Sequence, residues 1–168
     1  MAKEFKTLTA FAKHMTKVVA KYPKKEMQAA QFLGAVLEAE AKDKIGHLQE
    51  GAGPFAAWKE LAESTKADKE QKGYVFNHEY NPLYRTGDLK NSIHHSFNPS
   101  THNLYLGSDS EIMIYQELGT NRGIPPRAVL GLTMYQAKAD IHYIMGDMLV
   151  SWIADKPLTK RKRTYGSV

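Results

Sequence analysis

The chain has 168 residues, of which 42% are hydrophobic and 24% charged, with a net charge of +5 and no cysteine. This composition suits one folded domain with a real core and excludes a disordered or collagen-like chain. The absence of cysteine excludes disulfide scaffolds, iron–sulfur clusters, zinc-thiolate sites and thiol chemistry.

The charge is segregated along the chain. Residues 1–31 hold seven basic and two acidic residues, residues 32–155 hold eleven and sixteen, and residues 156–168 hold five and none. The middle is therefore mildly acidic and both ends are basic. A protein built to grip nucleic acid more often carries positive charge on its folded body. Basic ends on an acidic body suit docking between subunits at least as well. No stretch approaches the ~18 consecutive apolar residues of a membrane span, and the first residues lack the apolar run of a secretory signal. We expect a soluble protein with no membrane partner.

In chain order, residues 7–22 predict an amphipathic helix. Leu8, Phe11, Met15, Val18 and Tyr22 recur at spacings of three and four, Thr7 stands at the N-cap, and Pro23 ends the run. A second helix is expected over about 25–49, with Ala30, Leu33, Leu37, Ala41, Ile45 and Leu48 on one face. Pro54 stands at an expected first helical turn, with Phe55, Trp58 and Leu61 as anchors and a polar, exposed end. Asn81 and Pro82 mark a loop, and residues 89–93 read as a helical turn leading into a strand. Residues 93–97 and 102–108, joined by Asn98–Thr101, predict a β-hairpin. Residues 111–120 suit a strand or a short helix equally. Gly119, Gly123, Pro125 and Pro126 then predict an exposed loop.

The last helix is expected over about 128–154, with Leu130, Met134, Ile141, Met145, Met148 and Trp152 buried. At 1.5 Å per residue it would span roughly 40 Å, so one end would project or be covered by another subunit. The fold class is α+β: long N-terminal helices and a long C-terminal helix packed on a small antiparallel sheet. Three regions follow: a helical region 1–52, an α+β core 53–155 and a basic tail 156–168.

Chemistry is sparse. His94 and His95 are adjacent in a strand and point to opposite faces, His102 has no carboxylate at ligand spacing, and His78 beside Glu79 lacks a partner motif. No H-E-x-x-H, EF-hand loop or G-x-S-x-G occurs, and Ser108 and Ser110 lack the nucleophile elbow. Asp109 and Glu111 fall in a solvated turn, poor for raising a pKa. No metal, cofactor or catalytic residue is expected. Lys160, Arg161, Lys162 and Arg163 form a basic run near Tyr165, which suits salt-sensitive, sequence-blind contact with DNA or an acidic protein surface.

Several blocks then occur in order. They are Trp58, Leu61, Thr65 and Lys69; "LYRTGDLKNSI" at 83–93; "LYLGS" at 104–108; and "IYQELGTNRGIPPRAVLG" at 114–131. Their order and spacing resemble the tail-completion and virion-morphogenesis proteins of tailed bacteriophages, over roughly residues 54–154. The family commonly has His where Gln116 precedes Glu117, and an aromatic where Ala128-Val129 follow Arg127. The resemblance implies a non-enzymatic virion protein of the head–tail junction or tail end, made in the host cytoplasm, which completes the tail so that head and tail join.

By the same resemblance its partners are further copies of itself in a ring, with six the family expectation, and neighbouring neck, head-connector and tail-tube or tail-terminator proteins. Nonspecific contact with DNA in the lumen is a further partner it allows. A ring needs heterologous contacts that close by rotation. Arg122, Ile124, Pro125, Pro126 and Arg127, together with Lys160–Arg163, are the expected interface residues. Two prolines stiffen the loop, and the arginines offer forked donors to a neighbour's carboxylates. The same residues are equally consistent with a loop that only sets the approach to the last helix, with Arg127 held inside its own subunit. The alternative function is a sequence-nonspecific DNA-binding protein acting through its basic ends.

Overall fold

The computed structural model describes residues 4–76 and 79–159. The fold is α+β, with helices at both ends of the chain and a two-stranded antiparallel sheet between them. Helix α1 runs Leu8–Ala20, with the Thr7 hydroxyl accepting from the Ala10 N–H as its N-cap. Helix α2 runs Tyr22–Lys44, so Pro23 stands in its first turn, where a missing N–H costs nothing, rather than in a gap between helices. The helix stops short of the expected 49 because Gly46 adopts φ 106° and donates its N–H to the Pro82 carbonyl. Leu48 is consequently exposed.

Helix α3 covers Glu63–Gln71, α4 Asp88–Asn91, β1 Ile93–Asn98, β2 Asn103–Ser108 and α5 Glu111–Leu118. The helix expected to begin at Pro54 starts nine residues later. Residues 52–55 instead close a tight turn through paired Ala52 and Phe55 backbone bonds, and the Trp58 indole N–H donates to the Ala128 carbonyl. The hairpin turn is set by Asn98, whose side-chain oxygen accepts from the Ser100 and Thr101 N–H groups.

The single long closing helix is instead two, α6 over Leu130–Gln136 and α7 over Lys138–Ile153. Neither Gly nor Pro causes the break. Ala137, with ψ 0°, is 1% exposed, and tertiary anchors precede it: Gln136 accepts from Lys44, and the Tyr135 ring meets that of Phe55 edge-on with centroids 6.2 Å apart.

The chain forms two compact units. Among the described residues, the first comprises 4–33, 97–103 and 139–159. It buries Val18, Ala29, Ala30, Leu33, Ile144 and Met148, and the Trp152 indole donates to the Val18 carbonyl at 2.7 Å. The apolar face expected of α1 is only partly covered, since Val18 is buried while Leu8, Phe11 and Met15 are exposed. The second unit comprises residues 34–96 and 104–138. Its core is built on Ala41, Ile45, Trp58, Ile93, Met113 and Val129. No helix among the described residues is long and apolar enough to cross a membrane.

Candidate functional site

Helix α5 and the loop after it supply the most exposed apolar surface of the second unit. Met113 is buried and Gln116 and Glu117 face inward, whereas Ile112, Ile114, Tyr115 and Leu118 face out, Leu118 with 76% of its surface accessible. Gly119 ends the helix at φ 71°, where a Cβ would meet the Ile124 carbonyl at 2.8 Å. Thr120 then closes the loop on itself. Its N–H donates to the Ile124 carbonyl, its own carbonyl accepts from Gly123, and its hydroxyl accepts from the Ile124 N–H.

The base of the loop is fixed from both sides. The Glu117 carboxylate accepts the N–H groups of Val129, Leu130 and Gly131 as α6 begins. Burial pushes the Glu117 carboxyl above its ordinary pKa, and those three bonds oppose the shift. The Arg127 N–H donates to the Gln116 carbonyl, and its guanidinium Nη2 donates to the carbonyls of Lys59 at 3.0 Å and Glu60 at 3.3 Å.

Of the interface residues expected from sequence, Arg122, Ile124 and Pro126 are exposed and Pro125 is half-buried. Arg127 is 6% exposed and spends its hydrogen bonds inside its own chain, so it braces the loop rather than projecting from it. Lys160, Arg161, Lys162 and Arg163 lie outside the described residues. The residues just before them are anchored: the Thr159 N–H and hydroxyl both donate to the Asp147 carboxylate on α7.

The sequence blocks converge on one groove of about 760 Å³ in the second unit. Leu61, Thr65 and Lys69 line it from the first block, Arg85 and Gly87 from the second, and Gln116, Ile124 and Arg127 from the last. The remaining block serves the hairpin: the hydroxyls of Ser92 and Ser108 share a 2.7 Å hydrogen bond. Lys69 was expected on a polar, exposed helix end, yet it is 2% exposed, with its ammonium donating to the Asn81 and Tyr84 carbonyls at 2.8 and 2.6 Å. Burial, and then the neighbouring Arg85 charge, lower its pKa. The signal for its burial in the sequence is slight, a helical spacing of four from Thr65 within a run that is otherwise almost wholly polar.

The histidines sit apart from this groove. His95 Nδ1 lies 2.6 Å from Glu38, His102 Nδ1 lies 2.8 Å from Glu26, and His94 Nδ1 lies 3.1 Å from the Ser92 carbonyl. His78 is outside the described residues. Among the described residues, no group of three or more His, Cys, Asp or Glu side chains is placed to hold a metal ion. The chain matches no family model, no curated protein and no solved structure.

Proposed function

We propose that this chain is a structural virion protein of the phage neck or tail end, which completes the tail and joins it to the head as one subunit of a ring. The observation that carries the reading is the convergence of three separated sequence blocks on a single groove flanked by an outward-facing apolar helix. Residues that recur for a catalytic reason usually bring a nucleophile, base or metal ligand together. Here the blocks bring together a braced loop, a recess and apolar side chains, the furniture of a protein contact.

The loop suits such a contact. Its base is held by Glu117 and Arg127, so its exposed tip around Arg122 loses little freedom on docking. Exposed Ile114, Tyr115 and Leu118 give a neighbour apolar area at the same edge.

Electron microscopy of particles from a phage stock lacking this gene tests the reading. Filled heads and separate tails, or tails of abnormal length, are the expected result. Intact infectious virions would overturn it and turn attention to DNA binding by the basic ends, measured across a salt series.

A further inference from the structure

The groove of the second unit contains two buried cations that no described residue of their own chain neutralises. Lys69 and Arg127 are 2% and 6% exposed, and among the described residues neither forms an ion pair. Both keep unused donors. The ammonium has three and gives two to carbonyls; the guanidinium has five, and its buried Nε has no partner. The charged lining comprises four cations, Lys59, Lys69, Arg85 and Arg127, of which Arg85 is paired with Asp68 at 2.8 Å, against two carboxylates, Glu60 and Asp88. Both carboxylates are exposed and otherwise engaged, Asp88 with the Thr86 hydroxyl and Glu60 at 3.9 Å from Lys66. A buried cation without a counter-charge is costly, and an incoming anion relieves that cost in a setting where water screens poorly.

The rest of the wall decides which anion. Leu61, Leu83, Ile112 and Ile124 make it largely apolar. Nucleic acid is held by exposed, flexible cations that follow a phosphate backbone, whereas the two cations here that lack a counter-charge, Lys69 and Arg127, are buried. We infer that the groove receives a carboxylate-bearing apolar segment of a neighbouring protein, with the carboxylate on Lys69 and Arg127 and its apolar flanks on the aliphatic wall. This inference rests on the assembly reading, for which it names the chemistry of the partner.

The test uses the full-length protein, isotopically labelled for amide NMR, and three probes. One is a short capped peptide alternating leucine and serine around a central glutamate, the second is the same peptide with glutamine, and the third is a single-stranded oligonucleotide. The glutamate peptide is expected to shift the amides of Leu61, Gly87 and Gln116, with the glutamine peptide weaker by about tenfold, as loss of a charge-assisted pair implies. Lys69→Met, checked by its own spectrum for an intact fold, should erase that preference. Equal binding of the two peptides, no shift in the groove, or groove shifts produced by the oligonucleotide would each overturn the proposal. The peptide pair decides the matter on the native protein even if Lys69→Met does not fold. Peptide failure alongside unjoined particles in the gene-deleted phage would sink the groove and leave the assembly role standing; peptide binding alongside normal virions would do the reverse.

Discussion

His95 Nδ1 lies 2.6 Å from one oxygen of Glu38, and Lys42 holds the other oxygen of the same carboxylate from the next turn of α2. The Lys42 bond first, and the His95 bond second, keep the Glu38 carboxyl below its ordinary value of 4.5. A depressed carboxyl stabilises the fold above the unfolded pKa, and that contribution disappears as pH falls through the folded one. Glu38→Gln should therefore cost about 1 kcal/mol at pH 7 and progressively less as the medium is acidified below 4.5. Urea unfolding of both proteins across that range measures the difference. A cost that stayed constant with pH would show that the carboxylate charge is irrelevant.

The same histidine makes an unusual demand on α2. A Cβ at Gly34 would lie 2.2 Å from the His95 ring, so the ring occupies the place of a side chain. Glycine to alanine inside a helix ordinarily gains about 1 kcal/mol. Here Gly34→Ala should lose about 1–3 kcal/mol, as overpacked sites do. In a His95→Ala background the sign should reverse, with the double variant more stable to urea than His95→Ala alone.

Glu117 gives a different pH signature. Its carboxyl is raised mainly by burial, so the folded state holds that proton more tightly than the unfolded chain. Stability from this group is fully present below the ordinary value of 4.5 and falls as pH climbs through the raised one. Glu117→Gln should remove this slope while keeping one acceptor for the α6 N–H groups. Glu117→Ala leaves three of them without an acceptor and should cost about 1–3 kcal/mol. Thermal unfolding at pH 5 and pH 8 compares the three proteins.

The outward face of α5 separates folding from assembly. Ile114 and Leu118 are 59% and 76% exposed, so Ile114→Asp with Leu118→Asp should change stability by no more than about 0.5 kcal/mol per site. Under the proposed function the same double variant fails to complement a gene-deleted phage. Normal complementation would move the interface elsewhere on the chain.

How much of this was legible in the sequence depends on what each signal can report. The hairpin was, because Asn98 and the alternation on either side act within a few residues. The exposed loop at Gly119–Pro126 was, because glycine and proline constrain the backbone on their own. Unbroken periodicity makes α6 and α7 look like one helix, since the break at Ala137 follows side chains anchored on Phe55 and Lys44 rather than a breaker residue. Spacing at Phe55, Trp58 and Leu61 suggested a helix, yet the Trp58 indole is tied to Ala128, seventy positions away, and the backbone follows it. Periodicity showed which side of α1 is apolar but carried no information on what covers it. In the groove, Arg127 and Lys69 stood in recognisable blocks, while their burial depends on carbonyls of distant segments that no local pattern announces.

The nesting of the two units also sets an order of events during synthesis. Residues 34–138 leave the ribosome carrying the whole second unit, interrupted only by the Phe97–Asn103 stretch that belongs to the first. The first unit needs Ile144, Met148 and Trp152, so α1 emerges early and waits for partners made last. During that interval Val18 is bare along with the rest of the α1 apolar stripe, a period in which nascent chains are prone to aggregate. A stalled or truncated translation product ending before α7 would carry a finished second unit and an unpaired, sticky first helix.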